Sequence, residues 1–219
     1  MATNRRVLVT GANRGLGAAI ADLLRERGHD VVPGVRDPAV AAEIGGVHLD
    51  VTDAAGVAEA ARAVGPIDVL VNNAGILVPS PQSPSAVPID LVRAHLEVNA
   101  LGAWRVSQAF TPGMVRRGWG RIVMVSSGTG AFGNGLQHGL SAYAVSKVAL
   151  NALTVMLAAE LEGTGVLVNA VNPGLVRTRM RPDAQRTARE AAADVVWAAT
   201  LEDDGPTGGF FRGERRIDW

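Results

Sequence analysis

The sequence predicts one doubly wound α/β domain: a mainly parallel sheet flanked by helices on both faces. Three observations carry this expectation. Short β-branched runs such as Arg6–Thr10 and Ile67–Asn72 alternate with helical stretches along the chain, the order from which parallel sheets are built. The first run stops at Gly11 and passes through a glycine-rich turn straight into a helix, the strand–turn–helix unit of doubly wound sheets. No repeat or linker breaks the pattern over the 219 residues, a length suited to one large domain spanning residues 1–219.

Composition narrows the function classes. Hydrophobic residues make up 47% and charged residues 19% of the chain, proportions of a packed domain and not of a disordered one. Lysine plus arginine and aspartate plus glutamate both number 21, giving zero formal net charge. No global field therefore draws the chain to nucleic acid or to an anionic membrane. Cysteine is absent, which removes disulfides, thiolate nucleophiles and cysteine-based metal sites; no metal is expected. No run reaches the ~18 uninterrupted apolar residues of a membrane span. The first strand begins almost at once, without a signal-peptide core before it. The expectation is a soluble cytoplasmic protein.

Taken in order, Arg6–Thr10 reads as a buried strand. Thr10-Gly11-Ala12-Asn13-Arg14-Gly15-Leu16-Gly17 then opens a helix over Ala18–Arg27, closed by Gly28. In this context glycines let backbone N–H groups approach a pyrophosphate at a helix N-terminus. The spacing Gly-x-x-x-Gly-x-Gly departs from the Gly-x-Gly-x-x-Gly fingerprint. A plain strand-to-helix turn is the alternative, and the flanking elements favour dinucleotide binding. Asp30–Val35 is a second strand, irregular at Pro33 and Gly34. Where an NAD enzyme places an acid for the ribose 2′-hydroxyl, this strand runs into Arg36. Arg36 and Arg14 offer guanidinium forks to a 2′-phosphate, which favours NADP(H) over NAD(H), with Asp37 nearby as the counter-indication.

Gly46–Asp53 reads as a third strand running into a helix start, with Thr52 or Asp53 as N-cap and the helix over Ala54–Val64. Ile67–Asn72 is a fourth strand. It ends in Asn72-Asn73-Ala74-Gly75, at the strand end where doubly wound sheets meet their ligands. Leu77–Pro88, with four prolines, is a loop. Ile89–Phe110 is mostly helical around a mid-helix Asn99, a residue that is locally unfavourable there. Gly120–Ser127 is a fifth strand and Gly128–Gly139 a glycine-rich loop. Ala142–Leu161 is a long helix without glycine or proline. Gly165–Val171 is a sixth strand, stopped sharply by Asn172-Pro173-Gly174 and followed by Val176 and Thr178. Arg186–Leu201 is the last helix, and Gly208–Phe211 an edge strand before a polar tail.

On the long helix Tyr143 and Lys147 stand four apart and so point the same way. A phenol beside an ammonium is an acid/base pair, because the positive charge lowers the phenol from its ordinary pKa of about 10. A half-buried tyrosine next to a solvated lysine is the bland alternative, and the pair alone does not decide. The ordered set decides more. Thr10–Gly17, Asp50-Val51, Asn72–Gly75, Asn99, Ser127, Tyr143, Lys147 and Asn172-Pro173-Gly174 together resemble the motifs of the short-chain dehydrogenase/reductase family over essentially the whole chain. The stretch Asp204–Arg212 is similar to the compact carbonyl-reductase-like branch of that family.

The resemblance implies a Rossmann-fold domain with a catalytic tetrad of Asn99, Ser127, Tyr143 and Lys147. It implies cofactor contacts from Gly11, Asn13, Arg14, Gly15, Leu16, Gly17, Arg36, Asp50, Val51, Asn73, Ala74, Gly75, Tyr143, Lys147, Pro173, Gly174, Val176 and Thr178. Two departures stand out. Ser127 precedes Tyr143 by more positions than the family usually shows, which leaves Ser126 as an alternative hydroxyl although the strand register prefers Ser127. The segment after Thr178 is also short, so the substrate pocket is open or completed by the Gly128–Gly139 loop. Its linings are expected from Gly128–Leu140, Ile76–Pro79 and Arg177–Arg181.

Reducing a ketone needs a hydride on carbon and a proton on oxygen. Tyr143 would donate that proton, acidified by Lys147 and the oxidised nicotinamide. Ser127 would hydrogen-bond the same oxygen. By resemblance, Lys147 also holds the nicotinamide ribose and Asn99 anchors a water relay. The expected function is an NADP(H)-dependent oxidoreductase acting on a small-molecule carbonyl or secondary alcohol. The alternatives are the same fold performing a dehydration, epimerisation or cyclisation, or a non-catalytic NADP-binding regulator. Family members are commonly dimers or tetramers through the helices that carry Asn99 and Tyr143, so a homodimer or homotetramer is implied.

Overall fold

A computed structural model describes residues 4–78, 83–136, 138–179 and 181–219. Pro79, Gln137 and Met180, which fall in the expected cleft linings, and Ser80–Gln82 in the proline-rich loop lie outside the described residues.

The strands are β1 (Arg6–Thr10), β2 (Asp30–Val35), β3 (Val47–His48), β4 (Val69–Asn72), β5 (Gly120–Val125), β6 (Val166–Val171), β7 (Phe210–Arg212) and β8 (Arg215–Ile217). They form one eight-stranded sheet in the order β3-β2-β1-β4-β5-β6-β7-β8. All pairings are parallel except β7–β8. The chain works outward from β1 in one direction and then, from β4, in the other. This reversal beside β1 opens the crevice in which doubly wound sheets bind ligands.

The helices are α1 (Gly15–Glu26), α2 (Pro38–Glu43), α3 (Ala54–Val64), α4 (Ile89–Leu96), α5 (Ala103–Arg117), α6 (Ser141–Glu160) and α7 (Ala188–Ala199). Side chains alternate across a strand, and the sheet sorts its apolar residues accordingly. Leu8, Leu70, Ile122, Met124 and Val168 face α3, α5 and α6. Val7, Val9, Val69, Val71 and Val123 face α1 and α7. Central strands buried on both sides have to be continuously apolar, and the Val69–Asn72 and Gly120–Val125 strands are buried throughout.

Several expectations are corrected. The first helix begins at Gly15, not Ala18, so Gly15 and Gly17 belong to its first turn. The third strand shrinks to Val47–His48. Asp50 bends the chain there by accepting from the Thr52 N–H at 2.9 Å and the Thr52 hydroxyl at 2.7 Å. Pro38–Glu43, not anticipated as a helix, is one because Asp37 caps it from Ala39 N at 2.9 Å and Pro38 suits its first turn. The helix after the proline-rich loop does not stop at Phe110. It runs from α4 through a π-helical stretch, Glu97–Gly102, into α5. It ends only where Gly118 adopts φ +67. Gly208–Phe211 is not an edge strand: β7 pairs on both sides, and the supposed tail turns at Gly213 to make the antiparallel edge β8. Its arginines suit an edge, where charge discourages further pairing. Among the described residues α6 alone has the length and mean hydropathy, 1.5, of a membrane span. Ten of its residues, including Leu150, Leu153 and Leu157, are buried, which makes it a core helix.

Candidate active site

The glycine turn is shaped by contacts a side chain would prevent. Gly11 and Gly15 have φ of +67 and +56, a left-handed backbone that favours glycine. A Cβ on Gly17 would lie 2.3 Å from the Gly11 carbonyl oxygen and 2.5 Å from Asn73 Nδ2. The segment after β4 braces this turn. Thr10 Oγ1 accepts from the N–H groups of Asn73 and Ala74 at 3.0 and 2.9 Å, and Asn73 Nδ2 donates to the Thr10 carbonyl at 2.8 Å. The first turn of α1 carries no acid and no side-chain cap, so its N–H groups and the local dipole suit a phosphate. Asn13 and Arg14 are exposed beside it, and Leu16 is half-buried.

Arg36 lies exposed at the end of β2, while Asp37 spends its carboxylate capping α2. The acid that counted against a 2′-phosphate is therefore engaged elsewhere. Burial pushes the Asp50 carboxyl up, but bonds from Thr52 and the charges of Arg36 and His48 outweigh it and leave the pKa low. Val51 is buried against Gly102, where a Cβ would come within 2.6 Å of it. A glycine cradle, an uncapped helix start and two exposed guanidiniums fit a dinucleotide phosphate chain, with Asp50 and Val51 just past β3, which pairs with the end of β2.

Tyr143, Lys147 and Ser127 converge where β5 meets α6. Lys147 is 5% exposed, and its Nζ donates to the Val125 carbonyl at 2.8 Å. Burial lowers its pKa from 10.5 to about 8. The Nζ lies 5.6 Å from the centre of the Tyr143 ring. Burial raises the Tyr143 phenol, and a hydrogen bond with Ser127 offsets only part of that rise. Among the protein's own groups, desolvation therefore governs the phenol. Ser127 also accepts from the Thr129 hydroxyl at 3.0 Å. Ser126 points the other way, into the core, donating to Asn151 Oδ1 at 2.5 Å. The geometry therefore brings Ser127 and not Ser126 to the tyrosine.

Asn99 sits in the π stretch and is 1% exposed. Its Oδ1 accepts the Ile76 N–H at 2.8 Å, and its Nδ2 donates to the Ile76 carbonyl at 3.0 Å and to Ser146 Oγ at 2.9 Å. Both ends of the amide are committed within the protein, which leaves any water relay to its main chain. Gly75 passes so close that a Cβ would lie 3.2 Å from Asn99 Oδ1.

The turn after β6 completes the arrangement. Asn172 Oδ1 accepts the Gly174 N–H at 2.9 Å, and Gly174 has φ +73. Pro173 and Val176 are buried. Thr178 leans back over the glycine turn, its Cγ2 lying 3.3 Å from where a Cβ on Gly15 would be. Sequence reading missed Arg186. Its Nη1 donates to the Pro173 carbonyl and to Asp194 Oδ2, both at 2.7 Å, and Nη2 to Asp194 Oδ1 at 2.8 Å. That forked pair ties the Asn172–Gly174 turn to α7. It also missed His95, buried at 1% on α4 with its ring 6.3 Å from that of Tyr143. The available signal was its place one helical turn before Asn99.

The short chain dehydrogenase family profile matches residues 5–189. Oxidoreductase UcpA of Salmonella typhimurium is 38% identical over 207 residues, covering 88% of this chain and 76% of that protein. The NADPH-bound carbonyl reductase from chicken fatty liver superposes with a TM-score of 0.87 at 27% identity, covering 99% of both chains. The 3-ketoacyl-(acyl-carrier-protein) reductase of Brucella melitensis, complexed with NADH, gives 0.87 at 25% identity over 97% of both chains. With a profile spanning most of its length and a sheet in Rossmann order, the chain belongs to the short-chain dehydrogenase/reductase family of NAD(P)H-using oxidoreductases.

Proposed function

We propose that the protein is a single-domain carbonyl reductase that prefers NADPH and uses Tyr143 as its general acid. The observation that supports this most is the Ser127 hydroxyl bonded to the Tyr143 phenol in front of a buried Lys147. The bound nicotinamide supplies the hydride. The residues of the chain supply the rest. Ser127 and the Tyr143 hydroxyl hold the carbonyl oxygen of the substrate between them, so that negative charge developing on that oxygen meets two donors fixed in advance. Tyr143 then gives its proton to that oxygen. A phenol raised by burial is protonated at neutral pH and therefore ready as a donor. Lys147, still mostly charged at neutral pH with a pKa of about 8, steadies the phenolate that remains and holds the cofactor ribose. Asn99 fixes the Ile76 backbone and, through its main chain, anchors the water path that reprotonates the site.

Arg14 and Arg36 support NADPH over NADH, since both guanidiniums are exposed where the adenosine ribose would lie. The decisive experiment incubates the protein with NADPH or NADH and a panel of ketones, aldehydes and quinones, following nicotinamide absorbance. Consumption of NADPH with alcohol formation is expected. A product formed with no change in nicotinamide oxidation state would identify a dehydration, epimerisation or cyclisation instead. We also propose association through the outer faces of the π-helical stretch, α5 and α6, where Leu101, Trp104, Val145 and Met156 are 38–59% exposed. Light scattering is expected to give a dimer or tetramer mass, and a monomer mass at micromolar concentration would contradict this.

A further inference from the structure

We infer that His95 is a positioning residue for this site, setting both the Tyr143 ring and one wall of the substrate cleft. The inference rests on the functional reading above. His95 and Asn99 are four apart on a continuous helical stretch and project from one face. They grip neighbouring parts of one segment: Asn99 takes Ile76, and His95 Nε2 accepts the Val78 N–H at 3.2 Å. His95 Nδ1 lies 2.8 Å from the Leu91 carbonyl oxygen. A ring with one nitrogen accepting from an N–H and the other facing a carbonyl is neutral, with its proton on Nδ1. Neither nitrogen is left to touch a substrate.

The same ring meets Tyr143 edge to face, with centroids 6.3 Å apart and planes at 81°. Such a contact fixes the orientation of an aromatic side chain. A neutral ring also keeps water from the phenol without placing a positive charge beside it to compete with Lys147. Val78 is 45% exposed at the start of the proline-rich loop. Without that acceptor, Val78 loses the side-chain bond that ties it to α4. One buried side chain thus couples the cleft wall to the proton donor, and the two roles are separable. Phenylalanine keeps an aromatic ring against Tyr143 but gives Val78 no acceptor. Glutamine keeps an acceptor for Val78 but offers Tyr143 no ring.

The test measures kcat and KM for H95F and H95Q in the full-length protein, and the ring-nitrogen NMR signals of the 15N-labelled wild type, assigned by their loss in H95Q. H95F is expected to hold kcat within about threefold and raise the carbonyl KM roughly five- to tenfold, as loss of one hydrogen bond allows, with the NADPH KM unchanged. H95Q is expected to hold KM and lower kcat roughly tenfold, within the factors by which misplaced catalytic groups lose rate. The spectrum is expected to show a neutral ring protonated at Nδ1. Kinetics within twofold of wild type in both variants, or the same change in both, would overturn the inference, as would a ring protonated at Nε2. A wild type inactive on every carbonyl sinks the functional reading even where the spectrum upholds the His95 geometry. An active wild type with an Nε2-protonated ring does the reverse.

Discussion

Replacing Lys147 with methionine is expected to stabilise the fold while removing turnover. Lys147 is 5% exposed, and burial brings its pKa from 10.5 to about 8. By linkage, that shift means the charged form costs the folded state about 3 kcal/mol at neutral pH. Methionine removes this penalty at similar volume. It also removes the bond from Nζ to the Val125 carbonyl, whose loss in a buried position costs about 1–2 kcal/mol. The net gain is about 1–2 kcal/mol, which for a domain of this size raises Tm by about 3–6 °C. The sign with pH follows from the depressed pKa. Below pH 8 the lysine is charged in both folded and unfolded states and the penalty is complete. Between pH 8 and 10.5 the unfolded chain binds more protons than the folded one, so the stability of the wild type rises with pH. The advantage of the variant therefore narrows across that window. Thermal melts of both proteins without cofactor, at pH 7 and pH 10, measure it. A variant less stable than wild type at pH 7, or an advantage unchanged at pH 10, would show that the buried charge of Lys147 carries no such penalty.

Four further substitutions probe other parts of the site. Gly17→Ala puts a methyl 2.3 Å from the Gly11 carbonyl oxygen, backbone that cannot move aside cheaply. It is expected to cost about 1–3 kcal/mol of stability and to weaken NADPH binding, read by melting and by cofactor fluorescence; unchanged binding would contradict the close-approach argument. Arg36→Ala is expected to weaken NADPH roughly ten- to hundredfold, the value of a charged hydrogen-bonded contact, and to leave NADH affinity alone. An equal change in both affinities would remove the 2′-phosphate role. Ser127→Ala is expected to lower kcat roughly a hundredfold. Ser126→Ala, which loses the bond to Asn151, is expected to lower Tm and spare the chemistry; the opposite pattern would reverse the assignment of the two serines.

What the sequence made legible was what depends on local pattern. The glycine turn announced itself because Gly11 and Gly15 need a left-handed backbone and Gly17 needs space, and few other residues serve. The central strands were readable because burial on both faces demands unbroken apolar runs. Contacts made at a distance were hidden. Asn99 looked like a flaw in a helix, since nothing local reveals that the helix becomes π-helical there or that its amide meets Ile76 and Ser146. Arg186 looked like a helix start, because its partners Pro173 and Asp194 come together only through tertiary packing. The edge β8 resembled a polar tail because a strand at the rim needs few apolar residues. The pull of burial on the Tyr143 phenol was hidden for a related reason. The sequence shows the neighbouring charge but not the depth of burial, and burial wins.

The role of Tyr143 as general acid is tested most directly by turnover of NADPH and a ketone by the Tyr143→Phe protein, with folding and cofactor affinity verified alongside. Wild-type cofactor binding is expected, with a loss of kcat of about 10²–10⁴-fold, the range supplied by a positioned proton donor. A folded Tyr143→Phe variant that reduces the ketone at the wild-type rate would contradict that role.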